Sequence, residues 1–298
     1  MVKVYYSPEY ISAREEFDTT RKSGWIADSL QSDPIPGIEL LPPVPITETM
    51  LATFHSTDYI NAVKTGQPRS LAESQGFRWD PGLWTTACAH TAGMLTAART
   101  ALAGKTVAGT LSSGQHHAHA HHGSGFCTFN GIALAAHEAI REGARRVLII
   151  DLDAHCAGGT HALIENEPRI RQLDIAVSDF DGYTPCNPNR LILIKSAANY
   201  LPTLHSNLAG LEAAAFDLCI YYAGMDPFEE CYVGGLEGIT FALLAERERI
   251  VFDWCAKHKL PLAFGLGDGY VNQNSPRERL IALHQLTLHA AVASGRKA

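Results

Sequence analysis

No apolar run in this chain approaches the roughly 18 residues needed to span a bilayer, so a transmembrane helix is excluded. Nor is there a long basic tract. With a formal net charge of −7, strong binding to nucleic acid or to an anionic membrane is not expected. The seven cysteines are scattered and odd in number and include no Cys-x-x-Cys, so they form no disulfide framework. Together with the lack of a cationic-then-apolar leader in Met1–Tyr6, this points to a reducing, cytoplasmic setting. Internal repeats, low-complexity tracts and linker-like stretches are also missing. A single domain spanning 1–298 is therefore expected, and a chain of this length can bury a large core.

What the chain does contain is organised around Val147-Leu148-Ile149-Ile150-Asp151-Leu152-Asp153-Ala154-His155. Four apolar residues in a row suggest a strand buried on both faces, as in a parallel sheet covered by helices. Other short apolar runs suggest strands at Val2–Tyr6, Thr106–Leu111, Leu173–Val177, Leu191–Ile194, Leu218–Tyr222 and Leu262–Leu266. Helical patterns cover Pro81–Ala103, Gly131–Glu142, Ala197–Leu211, Ile239–His258 and Pro276–Ser294, and two short helices lie within Thr47–Val63. The stretch Pro34–Pro45 has the composition of an extended surface loop. Strands alternating with helices predict an α/β fold with one central parallel sheet flanked by helices.

Several predicted strands run out into groups that a core has no use for. Asp151, Asp153 and His155 occupy alternate positions, which an extended chain would place on one face. A loop with five histidines in seven residues, His116–His122, follows the strand that ends at Leu111. Asp226 follows the strand at 218–222 and Tyr270 the strand at 262–266. Each alone has a plainer explanation, as a turn residue, a packed ring or a solvated loop. Together they lie at the carboxyl ends of strands, where open α/β sheets bind ligands. Asp153, His155 and Asp226 would offer two oxygens and a nitrogen to a divalent ion and leave a position open for chemistry.

The motifs resemble those of the histone deacetylase family, including its bacterial acetylpolyamine amidohydrolase-like branch and, more loosely, its small class IV-like branch. They are Gly114-Gln115-His116-His117-Ala118, Gly125-Phe126-Cys127-Thr128-Phe129-Asn130-Gly131, Asp151-Leu152-Asp153-Ala154-His155, Ala223-Gly224-Met225-Asp226 with Gly234-Gly235-Leu236, and Gly267-Asp268-Gly269-Tyr270. The resemblance implies an arginase-like fold and a zinc or ferrous amidohydrolase. It implies Asp153, His155 and Asp226 as metal ligands, His117 as general base and His116 as its electrostatic partner, oriented by Asp151. Tyr270 would polarise the amide carbonyl, Gly125 and Phe126 would line the acyl-lysine channel, and Ser178 falls at the place of a structural potassium ion. The chain departs from the pattern at Gln115, Cys156 and Gly158. Gly158 stands where the family has the acid that orients the general base, so His117 is expected to lack its orienter.

Three competing functions are open at this point. A two-metal ureohydrolase shares Asp153-Ala154-His155, but Ala157 and Phe228 stand where its further acids belong. A catalytically weak acyl-lysine-binding protein and a histidine-rich metal store are the others. An amidohydrolase here would act on an acylated lysine peptide, an acylpolyamine or a small acyl amide. The choice among these, the acyl length and the oligomeric state are not encoded in the motifs.

Overall fold

A computed structural model of the chain describes residues 1–14 and 18–295. Eight strands form one sheet: β1 (Val2–Tyr5), β2 (Ile38–Leu41), β3 (Val107–Thr110), β4 (Val147–Asp151), β5 (Ile170–Ala176), β6 (Arg190–Leu193), β7 (Leu218–Ala223) and β8 (Leu262–Leu266). The helices are α1 (Asp18–Ser32), α2 (Glu48–Leu51), α3 (Thr57–Thr65), α4 (Arg69–Ala72), α5 (Gly82–Gly104), α6 (Gly131–Arg141), α7 (Gly158–Ile164), α8 (Tyr200–Ala209), α9 (Phe241–Lys257) and α10 (Arg277–Gly295). The strand order is β2-β1-β3-β8-β7-β4-β5-β6, and every pairing is parallel. No helix among the described residues is long and apolar enough to cross a membrane.

The central run behaves as its composition requires. All five residues of β4 are buried, between β5 and β7. Leu148 and Ile150 join the core under α1, α8, α9 and α10, while Val147 and Ile149 join the core under α3, α5 and α6. Full burial of such a side chain is worth about 1.5–3 kcal/mol, so a polar residue within this run would cost the sheet its centre. Helix starts follow local chemistry. Ser56, Asn130 and Thr240 cap α3, α6 and α9 through their side chains.

Two expectations need correction. The proline-rich stretch at 34–45 is not all loop, because Ile38–Leu41 pairs with β1 as the edge strand β2. Proline is tolerated just outside an edge strand, where no ladder donor is needed. The extended geometry of the central strand also stops at Asp151. Beyond it the Asp153 N–H donates to Asp151 Oδ1 at 3.1 Å and the His155 N–H donates to Asp153 Oδ1 at 3.2 Å. These side chain–backbone bonds bend the chain into successive turns.

Candidate active site

The strand ends that matter are neighbours. β3, β8, β7 and β4 lie side by side, so their carboxyl ends deliver His116 and His117, Tyr270, Asp226, and Asp153 with His155 to one place. Asp153, His155 and Asp226 form a buried group able to hold a metal ion. His155 Nδ1 lies 2.9 Å from Asp226 Oδ2 and 3.2 Å from Asp153 Oδ1. A single ring nitrogen carries at most one proton and cannot satisfy both oxygens. Asp226 Oδ2 in fact makes no well-formed hydrogen bond, although it is buried. A divalent cation would satisfy all three atoms at once, and the N,O,O donor set suits zinc or ferrous ion.

The protonation pattern expresses the same need. Burial and repulsion from Asp153 push Asp226 up to about 8. Burial alone would lower His155, but Asp153 and Asp226 overcome it and push the imidazole up to about 11. Both shifts favour bound protons, which a cation held by the three residues would displace.

Two histidines flank this group. His116 is fully buried, and its Nδ1 donates to Asp151 Oδ2 at 3.1 Å. Burial opposes its charge, but Asp151 and Asp153 outweigh burial and push it up to about 10, making it an imidazolium. Its ring lies 3.9 Å from that of His117, centroid to centroid. Burial and the His116 charge push His117 down to about 4, so it is neutral near pH 7.

His117, His155, Gly125, Phe126, Ser178, Phe180, Val233 and Tyr270 line one cavity of about 370 Å3. Phe126 adopts a left-handed backbone (φ +65°), and its ring stacks on Phe77 at 5.4 Å. Phe180 sets its edge against His117 and His155, with centroids 5.0 and 5.9 Å away. Gly125 is required between them. A Cβ there would overlap the His117 ring and come within 2.9 Å of Phe180. Ser178 sits on the same wall, and its hydroxyl accepts from the Phe180 N–H at 3.4 Å. Tyr270 is 2% exposed, and its hydroxyl donates to Asp268 Oδ2 at 2.7 Å.

A histone deacetylase domain model matches residues 17–184, more than half of the chain. The chain belongs to the histone deacetylase family. An uncharacterised protein of Picosynechococcus sp. is 29% identical over 232 residues, covering 74% of this chain and 75% of that protein. Acetoin utilization protein AcuC of Staphylococcus aureus is 33% identical over 132 residues, which is 41% of this chain and 34% of AcuC. Among solved structures, the HDA15 HD domain superposes with a TM-score of 0.79 at 18% identity, covering 98% of this chain and 89% of that one. An acetylpolyamine aminohydrolase from Burkholderia pseudomallei gives 0.78 at 16% identity, covering 97% and 98%. At these identities the structural likeness establishes the fold.

This family member does not leave His117 without an orienter, as Gly158 led us to expect. Asp181, in the loop after β5, places Oδ2 2.9 Å from His117 Nδ1 and Oδ1 3.3 Å from His119 Nε2. The Gly159 N–H donates to the same Oδ2 at 3.0 Å. A Cβ on Gly158 would come within 2.6 Å of Asp181 Oδ1, so the missing side chain makes room for the acid arriving from the loop. Cys156 belongs to the same exchange. Its N–H donates to the Phe180 carbonyl at 3.0 Å and its thiol to the Ser178 carbonyl at 3.3 Å, which ties the loop down. Gln115, the third departure, is buried and donates through Nε2 to Ser112 Oγ at 2.8 Å. Sequence reasoning missed Asp181, Phe180 and the buried Lys22, and gave Asp268 no role although it stands in the Gly-Asp-Gly-Tyr motif. For Phe180 and Asp181 the available signal was Ser178-Asp179-Phe180-Asp181, an aromatic between acids in what otherwise looks like a polar turn.

Proposed function

We propose that this chain is a metal-dependent amidohydrolase that removes an acetyl or other acyl group from an acylated lysine side chain or a related acylated amine. The observation that carries this reading is the convergence of Asp153, His155 and Asp226 with a buried histidine pair and a tyrosine hydroxyl around one aromatic-walled cavity. In this reading Asp153, His155 and Asp226 hold a zinc or ferrous ion, which when bound supplies activation of water and polarisation of the amide carbonyl.

The chain's own groups do the rest. His117, with Nδ1–H committed to Asp181, keeps Nε2 free to take a proton from water and return it to the leaving amine. His116, charged and held by Asp151, stabilises negative charge developing on the carbonyl. The Tyr270 hydroxyl donates to the same oxygen. Gly125 lets Phe126 and Phe180 close on an extended acyl-amine stem and exclude water from it. By the family resemblance, Ser178 would help hold a structural potassium ion. Membership of the histone deacetylase family and fold likeness to an acetylpolyamine aminohydrolase support acylated amines as the substrate class. The test is turnover of an acyl-lysine peptide and an N-acetylpolyamine panel by metal-loaded protein, with and without chelator. Hydrolysis abolished by chelator is expected. Loaded protein that binds these compounds without hydrolysing any would make it an acyl-amine reader instead.

A further inference from the structure

One buried carboxylate has no part in the proposed mechanism. Asp268 stands in the Gly-Asp-Gly-Tyr turn after β8, 1% exposed, and both its oxygens are engaged. Oδ2 accepts from the Tyr270 hydroxyl at 2.7 Å, and Oδ1 accepts from the Thr19 hydroxyl at 2.8 Å. Ser113 Oγ also lies 3.2 Å from Oδ1, and the Asp268 N–H donates to Asp153 Oδ2 at 2.8 Å. Behind the two hydroxyls lies Lys22 of α1, fully buried. Its Nζ donates to Ser113 Oγ at 2.6 Å and to the Thr19 carbonyl at 2.5 Å, and lies 3.3 Å from Thr19 Oγ1. A buried ammonium is costly unless an anion answers it. Here two hydroxyls connect the charges, and hydrogen bonds in such a chain polarise one another. His116, Asp153 and Asp268 also come within ligand distance of each other. Yet both Asp268 oxygens already accept from hydroxyls, and the Lys22 charge lies behind them, which disfavours a second cation there.

We propose that Asp268, held by Lys22 through Thr19 and Ser113, is the positioning residue for Tyr270. The proposal rests on the amidohydrolase reading. Glycines on both sides of Asp268 leave the turn's backbone permissive, so the ring needs an external anchor. The carboxylate provides one and keeps the phenol at the cavity wall. When a carbonyl oxygen arrives, the single phenol proton turns to it and Oδ2 gives up its donor, while the Thr19 and Ser113 hydroxyls still hold Oδ1 and keep the carboxylate in place.

The test is a double-mutant cycle on the metal-loaded full chain. Asp268→Asn is expected to lower kcat by about 10- to 100-fold, the scale of a small misplacement, with KM within about twofold and metal content unchanged. In a Tyr270→Phe background the same change should cost nothing more, because the group it positions is gone. Equal losses in both backgrounds, or a kcat at or above wild type, would overturn the proposal; the faster variant would mark Asp268 as a brake. Lys22→Met and Asp268→Asn should each lower the Tm, and the combined variant should lose less than the sum, since neither charge is then left alone. If Lys22→Met does not fold, the Asp268–Tyr270 cycle decides. If the wild type hydrolyses no acylamide, the amidohydrolase reading fails separately, and the same cycle read in Tm still reports: additivity would remove the contact.

Discussion

At the scale of single residues the site turns on an exchange between Gly158 and Asp181. The acid that holds His117, the proposed base, comes from a loop instead of the first turn of α7, and the vacated side-chain volume admits it. Asp181→Ala should retain metal and lose about 10- to 100-fold in kcat through misalignment of His117. Gly158→Asp in the otherwise unchanged chain should lower the Tm, because two carboxylates would compete for one space, but in Asp181→Ala it should restore part of the rate. Steady-state kinetics with melting curves check both. The pH profile has a definite sign. Asp181 acts to raise the His117 pKa against burial and His116, so its removal moves the acid limb of kcat/KM to lower pH, never higher. Tyr270→Phe should keep metal content and fold while losing on the order of 100- to 1000-fold in turnover, as expected when one oxyanion donor is lost. A fully active Tyr270→Phe would reduce the ring to packing. That His116, His117, Asp151, Asp153, His155 and Asp226 would come together was legible because each sits at or just after the end of a predicted strand, in a motif that resembles the family's. Asp181 was not, because its partner lies 64 residues away and nothing local distinguishes it from a turn acid.

At the scale of elements the instructive case is α1, which periodicity did not reveal. Its buried residues include Thr19, Thr20, Lys22 and Ser23, so the first half of its inward face is polar and breaks the apolar pattern that marks a helix. The residues that hid the helix are those it turns toward the site. β2 was obscured by its flanking prolines for a similar reason. By contrast β4, β7 and β8 are buried throughout and were plain in the sequence. Helix α9 contributes a support of its own. Arg247, fully buried, donates to the Leu152 carbonyl at 3.0 Å, between the two motif acids, and pairs with Glu248 at 2.7 Å. Arg247→Met would leave Glu248 buried without its cation and free the Leu152 carbonyl. A loss of about 3–5 kcal/mol in chemical denaturation is expected, along with weaker metal retention. A change below about 0.5 kcal/mol, ordinary for a surface position, would mean the clamp is not used.

At the scale of the whole molecule, the proposed metal site would link metal binding to folding. A cation that binds the assembled ligands and not the unfolded chain stabilises by mass action, about 2.7 kcal/mol at a hundredfold excess over Kd. Added zinc should therefore raise the Tm of the wild type and leave Asp153→Ala and Asp226→Ala unmoved, as differential scanning fluorimetry can show. The sheet order has a further consequence for synthesis. Strands β2-β1-β3 and β7-β4-β5-β6 form two blocks, and β8, the last of the eight in chain order, slots between β3 and β7. Until residues 262–266 arrive, both blocks carry a naked apolar edge, and such edges template intermolecular pairing. A chain ending at Leu260 holds all three candidate metal ligands, yet it should partition into the insoluble fraction on expression, where the full chain stays dispersed. Adding residues 261–295 as a separate peptide during refolding should recover soluble material. Exposure of the nascent chain to aggregation should therefore last until residues 262–266 have been made, and only the closing strand ends it.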